Sequence, residues 1–389
     1  MLNILFVHQS AEMYGSDKVL LALVGGLDRK RFRPVVVLPS EGPLMVALRF
    51  IGVEAHVAPV VKVSRATLSL RGLLRLPLDV WRSMRTMNRL LAGGNIAIVH
   101  SNTLAVLSGA LWAKLSRLPH VWHVHEMIVH PKLVKEGFPW LLRMFADRVA
   151  CNSNPTRALL LESQPLLDQR SITIWNGMDR EHPMQRSEIA DFRHAMGLPA
   201  ECVLVVLMGR INRLKGQKLL VEAAMHAQRQ GLTQVHYLIV GSAPSGQEHF
   251  LQDLQQALAT SGVENLFTVM DFQSDIWRIW GAADIAVLPS TEPESFGMVA
   301  LEAMAAGKPV VAAAHGGPLD IVIDGKTGTL VAPNDALALA DAIVALARDK
   351  AARERMGRAG LRRLDEQFSL RNYVHGFEQL YEAVGESRI

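Results

Sequence analysis

CVLVVLMGRINRLKG, residues 202–216, runs from an unbroken apolar stretch straight into a basic loop closed by glycine. A short run rich in valine and leucine, bounded by glycine, reads as a strand buried on both faces. The pattern repeats downstream in VHYLIVGS, LFTVMDF, DIAVLPS, KPVVAAA and GTLVAP, with longer helix-like segments between them. It also occupies the N-terminal half: LNILFVH (Leu2 to His8), PVVVLP, AIVHSN, HVWHVHE, RVACNSN and SITIWNG, with VLLALVGGL, LMVALRFIG and AVLSGALWAKL interleaved. Strands alternating with helices imply right-handed β-α-β crossovers and parallel sheets. The chain is thus read as α/β, with two Rossmann-like domains facing a central cleft. Its 389 residues suit two such domains of about 180 each.

Apolar periodicity lapses between WNGMD (Trp175 to Asp179) and Leu198, which places the linker there. The expected domains are 1–178 and 179–369. Two helical patterns close the chain, Ala336 to Leu364 and Leu370 to Val384, and the segment 370–389 is expected to return to the first domain.

Apolar residues make up 49% and charged residues 20%, which excludes disordered and collagen-like classes. No stretch approaches the ~18–20 apolar residues of a spanning helix, and no signal-peptide pattern precedes Leu2. A cytoplasmic protein is therefore expected, with Cys151 and Cys202 as reduced, buried thiols beside strands. The net charge of +4 is unevenly placed. Lys62, Arg65, Arg71, Arg75, Arg82, Arg85 and Arg89 stand against one acid, Asp79. On a helix over 80–91, Val80, Met84, Met87 and Leu91 would share one face and Arg82, Arg85 and Arg89 the opposite one. Residues 62–89 could meet an anionic membrane surface or a lipid phosphate, or form an ordinary solvated face. Nothing indicates a nucleic-acid partner.

In parallel sheets ligands bind outside the carboxyl ends of the strands, so strand-to-helix junctions carry the most information. PSTEPESFGMVALEAMAAGKPVV (Pro289 to Val311) leaves a strand, crosses a loop and opens a helix near residues 295–297. A helix N-terminus offers unpaired N–H groups to a phosphate, and Gly297 permits close approach. Glu294 and Glu302 lie eight residues apart, roughly 12 Å along a helix axis, too far for the paired carboxylates of a glycosidase. They suit two ends of one extended ligand, one carboxylate on sugar hydroxyls and the other on ribose; alternatively they are a loop and a surface glutamate. Arg210 and Lys215 could together neutralise a diphosphate, or simply belong to a solvated loop.

Gly-Arg-x4-Lys-Gly, followed about eighty residues later by Glu-x7-Glu with FG and EAMA-Gly-x-Pro-Val, resembles the retaining GT-B glycosyltransferases of family 4 (glycosyl transferases group 1). Asn176-Gly177-Met178-Asp179, HGGPLDIVIDGKTGTLV from His315 and the closing FSLRNYVHGFEQLYEAV match as well. The resemblance implies that Arg210 and Lys215 hold the diphosphate of a nucleotide sugar, Glu294 touches the sugar and Glu302 the ribose. Amides of Phe296, Gly297, Met298 and Val299 would line the site. It implies a glycine turn in MYGSDK, where Gly15 is kept, Tyr14 replaces a second glycine and Asp17 stands where glutamate is common. It also aligns His125 and Glu126 with a His-Asp pair at the reaction centre.

His123 shares a strand face with His125 and is an alternative in that register. Such a pair could suggest a metal, but no third ligand follows at useful spacing and none is expected. Ser153 could contact a substrate or cap the next helix. Phe272 could stack on the base or pack in the core. The combined expectation is a metal-independent hexosyltransferase using UDP- or GDP-sugar, acting on a glycan, lipid-linked or small-molecule hydroxyl by front-face substitution. Rivals are weaker: no Gly-x-Gly-x-x-Gly turn supports a nicotinamide enzyme, and an epimerase or phosphorylase would lack this charged set. A non-catalytic sugar-nucleotide binder keeps the fold.

Overall fold

A computed structural model describes residues 1–63, 67, 69–180 and 186–386; Arg65 of the basic segment lies outside them. The chain forms two compact units, 1–178 with 369–389 and 179–368.

The first unit contains strands β1 (Leu2–His8), β2 (Phe32–Leu38), β3 (Glu54–Val57), β4 (Ile96–Asn102), β5 (His120–Val124), β6 (Arg148–Cys151) and β7 (Ser171–Thr173). They form one sheet in the order β3-β2-β1-β4-β5-β6-β7, and every ladder is parallel. The order reverses direction at β1 and β4, the switch point beside which such sheets bind ligands. Helices α1 (Gly15–Gly26), α2 (Pro43–Phe50), α3 (Leu70–Leu90), α4 (Leu107–Ser116), α5 (Lys132–Phe145) and α6 (Asn154–Ser163) make the crossovers.

The second unit contains α7 (Arg186–Ala195), β8 (Val203–Met208), α8 (Gln217–Arg229), β9 (Val235–Val240), α9 (His249–Ser261), β10 (Phe267–Met270), α10 (Ile276–Ala282), β11 (Ile285–Leu288), α11 (Met298–Ala305), β12 (Val310–Ala313), α12 (Pro318–Ile321), β13 (Gly328–Val331), α13 (Ala336–Arg348) and α14 (Lys350–Gln367). Its parallel sheet runs β10-β9-β8-β11-β12-β13. Val205, Leu207, Tyr237, Ile239 and Val287 pack there against α8 and α13.

Three expectations need correction. The segment 179–198 is not all linker: α7 belongs to the second unit, where Arg193 donates to the Ala282 carbonyl and pairs with Asp284 at 3.0 Å. Charged composition hid a helix that buries Phe192 beside this polar contact. The pattern 336–364 is two helices, because Asp349 leaves helical geometry and its carboxylate accepts from the Ala352 amide at 2.8 Å, starting α14. The returning segment begins at residue 369, one residue before the expected boundary.

That segment is α15 (Leu370–Glu386). Its Tyr373, Phe377 and Tyr381 are buried in the first unit, with Phe377 against His100 and His123. The Tyr381 hydroxyl lies 2.8 Å from His100 Nδ1. Gly177 of the WNGMD motif lets the chain pass there, since a Cβ at 177 would overlap the Ser369 carbonyl oxygen.

Helix α3 has the predicted amphipathic form: Met84 and Met87 are buried, and Leu91 just beyond it, while Arg82, Arg85 and Arg89 are exposed. Cys151 and Cys202 are free and buried.

Candidate functional site

In the second unit, the loops after β8, β11 and β12 converge at the carboxyl end of the sheet. Lys215 Nζ pairs with Glu294 Oε1 at 2.8 Å. The Ser290 hydroxyl donates to the same carboxylate oxygen, and His315 Nε2 sits 2.8 Å from the Ser290 carbonyl, ordering this loop. Burial pushes the Glu294 carboxyl up, but Lys215, Ser290 and His315 together hold it below the ordinary range.

Glycine makes this convergence possible. Gly216 has φ +73°, and a Cβ there would overlap the Pro289 carbonyl oxygen. At Gly316 and Gly317 a side chain would enter the backbones of Glu294 and Phe296, and the Gly317 amide instead donates to the Glu294 carbonyl at 2.7 Å. Helix α11 then opens from Gly297, at φ +104°, with no side-chain cap. The first-turn amides of Met298 and Val299 thus follow four and five residues after Glu294 at a helix end without a side-chain cap, the kind of end that can receive an anion.

Arg210 is exposed on the Lys215 loop, and its carbonyl accepts from Gln217 Nε2 at 3.0 Å. The Phe296 ring is buried edge-on against Phe368, which leaves only its backbone available to a ligand. Glu302, on α11, accepts from the buried Trp280 indole at 3.4 Å, so it is held rather than freely solvated. Phe272 is 65% exposed, which overturns packing as its reason for being there.

In the first unit, His8, Asn102, His123 and His125 gather at the ends of β1, β4 and β5. All four are buried. Gly15 opens α1, and Asp17 in its first turn accepts from the Tyr14 amide at 2.8 Å and lies 2.6 Å from His8 Nε2. Desolvation would raise the Asp17 carboxyl, yet His8 and the Tyr14 amide bring it below the ordinary value. His125 Nε2 is 2.9 Å from Asn102 Oδ1 and 3.1 Å from His123 Nδ1. Burial lowers His125 to about 3, so it is neutral near pH 7. Ser153 caps α6, accepting from the Thr156 amide at 3.1 Å. Among the described residues no group of three or more His, Cys, Asp or Glu is placed to hold a metal ion.

Glu126 lies past β5, and its carboxylate turns back to the amides of Leu104 (3.0 Å) and His125 (3.2 Å). Burial nevertheless raises it to about 7. A carboxyl raised on folding binds its proton more tightly in the native state, so stability falls as pH rises from the unfolded value near 4.5 toward 7. Glu126→Gln is expected to flatten that decline. Urea titrations at pH 5 and 7.5 check it: equal slopes of stability against pH in both proteins would exclude a raised Glu126.

Sequence reasoning passed over His8 and Asn102. The available signal was a polar residue ending each of two apolar runs, LNILFVH and AIVHSN; in the sheet those two residues are register partners.

Two parallel α/β units, each with a polar cluster at the carboxyl end of its sheet, define a GT-B protein. The family model for glycosyl transferases group 1 matches residues 189–363, and that for Glycosyltransferase Family 4 matches residues 14–182; the chain belongs to this family. D-inositol 3-phosphate glycosyltransferase of Geodermatophilus obscurus is 35% identical over 251 residues, 62% of this chain and 53% of that protein. Its counterpart from Thermobifida fusca is 31% identical over 289 residues, 69% and 65%. The matches span about half the length of most of these curated relatives. Anabaena HepE, solved in complex with UDP-glucose, is 25% identical, with a TM-score of 0.83 over 98% of this chain and 100% of that one. Sucrose-phosphate synthase from Thermosynechococcus elongatus, 22% identical with a TM-score of 0.75 over 100% of both chains, shares the fold.

Proposed function

We propose that this chain is a retaining, metal-independent glycosyltransferase that moves a hexose from a UDP-sugar to a hydroxyl acceptor. The observation that carries this reading is the Lys215–Glu294 pair beside the uncapped start of α11. It offers a cation, open amides and a carboxylate within one loop cluster: the first two for a diphosphate, the last for sugar hydroxyls. UDP is favoured over GDP because HepE was solved with UDP and with UDP-glucose.

In the reaction the bond from the anomeric carbon to the diphosphate oxygen breaks while the acceptor oxygen bonds to the same face. The acceptor proton passes to the departing diphosphate. Lys215, Arg210 and the α11 amides stabilise the charge that grows there. The names of the inositol phosphate relatives favour a phosphorylated polyol as the first acceptor to try. UDP-glucose should raise the melting temperature, and UDP should be released only when an acceptor is also present. Stabilisation by UDP-sugar without release across an acceptor panel would make the chain a binder instead.

Among the described residues no helix is long and apolar enough to cross a membrane. Helix α3 nevertheless exposes Leu74, Leu78 and Trp81 beside Arg75, Arg82 and Arg85, with the Arg85 guanidinium 5.2 Å from the Trp81 ring centre. That combination supports peripheral contact with anionic lipid. Trp81→Ala with Arg82→Ser and Arg85→Ser should lower binding to vesicles containing anionic lipid at least tenfold, at about 1 kcal/mol per arginine near the surface. Equal sedimentation of variant and parent with such vesicles would remove the membrane from the picture.

A further inference from the structure

Asp17, His8, Asn102 and His125 form a continuous hydrogen-bonded chain whose donor and acceptor roles can be assigned from one end. The Asp17 carboxylate has only lone pairs, so His8 Nε2, 2.6 Å from Oδ1, carries a proton and donates. His8 Nδ1 lies 3.0 Å from Asn102 Nδ2 and 3.4 Å from the Asn102 carbonyl oxygen, and the shorter contact makes it the acceptor of the amide proton. The Asn102 amide is thereby oriented, leaving Oδ1 to face His125 Nε2 at 2.9 Å. An amide oxygen cannot donate, so the His125 proton sits on Nε2. His123 Nδ1, 3.1 Å from the same nitrogen, shares that proton as a second acceptor. His123 therefore carries its own proton on Nε2, an atom buried without a partner.

The other ring nitrogen of His125, Nδ1, makes no hydrogen bond to any described residue. With its proton held on Nε2, neutral His125 offers a lone pair there and nothing to donate.

We propose that Asp17, acting through His8 and Asn102, sets the tautomer of His125 so that its Nδ1 accepts a hydrogen bond from a hydroxyl of the sugar substrate. Asp17, His8 and Asn102 are positioning residues in this scheme, and only His125 meets the ligand. The inference rests on the glycosyltransferase reading for the ligand and on geometry alone for the relay. It also accounts for Asp17: a short side chain at the third position of α1 can bridge the Tyr14 amide and His8 at once.

The test is imidazole nitrogen NMR on the 15N-labelled full chain, with His125 assigned by comparison with His125→Gln. The parent should show His125 protonated on Nε2. Asn102→Leu removes both hydrogen bonds while keeping the branching at Cγ and should shift the tautomer ratio at least tenfold toward Nδ1–H, with kcat falling about tenfold and KM little changed. Folded Asn102→Leu with His125 still wholly protonated on Nε2 overturns the relay. Should that variant not fold, Asn102→Asp serves. A carboxylate at 102 still accepts from His125 but now demands a proton from His8 Nδ1, so His125 keeps its tautomer and His8 gains a second proton. An unchanged His8 signal in Asn102→Asp overturns the proposal equally. The spectra decide the relay whether or not sugar is transferred, and UDP release by the parent protein decides the function separately.

Discussion

Lys215→Ala is expected to lower sugar transfer by roughly 10²–10³-fold, the usual cost of removing one preorganised charge from a developing anion. It should also weaken the protein, because the ammonium 2.8 Å from Glu294 Oε1 offsets the cost of burying that carboxylate. An uncompensated Glu294 costs about 1–3 kcal/mol. The pH dependence gives the sign. In the parent, the Glu294 carboxyl lies below its ordinary value, so it adds stability above the ordinary carboxyl range and loses it as pH falls through its depressed value. In Lys215→Ala burial dominates, the carboxyl is raised, and stability instead falls as pH rises through and above the ordinary range. Denaturation of the variant at pH 5 and pH 8 therefore discriminates: a variant as stable as the parent at both would mean the pair contributes nothing. The double variant Lys215→Met with Glu294→Gln should recover stability without recovering turnover, which separates folding from chemistry.

Gly216→Ala should be more damaging to the fold. The position combines φ +73° with a Cβ that would overlap the Pro289 carbonyl, so the loops after β8 and β11 must separate. Backbone strain alone costs of order 1–3 kcal/mol, and displacing the neighbouring main chain brings the total toward the exceptional range above about 4 kcal/mol. Gly231→Ala is the matched control: φ is +80°, but nothing lies within 4 Å of its would-be Cβ. It should cost only about 1 kcal/mol. Urea melts of the two variants test the comparison, and similar losses would show that strain, not the approach of the two loops, decides the cost. Any folded Gly216→Ala should also have lost affinity for UDP-sugar, since Lys215 and Glu294 are carried on those two loops.

The two parallel sheets were legible because buried parallel strands are nearly all apolar, as in Val203–Met208 and Ile285–Leu288, and each is followed by a glycine- or proline-marked turn. The short β3, half of it exposed, has no such run. Helix α7 escaped because its apolar face is short, Phe192 buried and Ile189 half-buried among charged neighbours, and Arg193 supplies the rest of its attachment. In the candidate site, Lys215, Glu294 and Gly297 were visible as motif positions at strand ends. The role of HGG at 315–317 was not, since two glycines in sequence do not say which backbone lies against them. His8 and Asn102 were hidden for a related reason. They are 94 residues apart, and only the register of β1 beside β4 makes them neighbours.

The placement of α15 has a consequence for synthesis. A chain leaving the ribosome finishes residues 1–178 long before 369–386, yet the rings of Phe6, His100 and His123 are covered by Phe377 and Tyr381. The first half to be translated is thus the last to be completed, waiting with an apolar flank uncovered while the downstream half folds. A nonsense mutation just before Ser369 would leave the second unit whole and injure the one translated first.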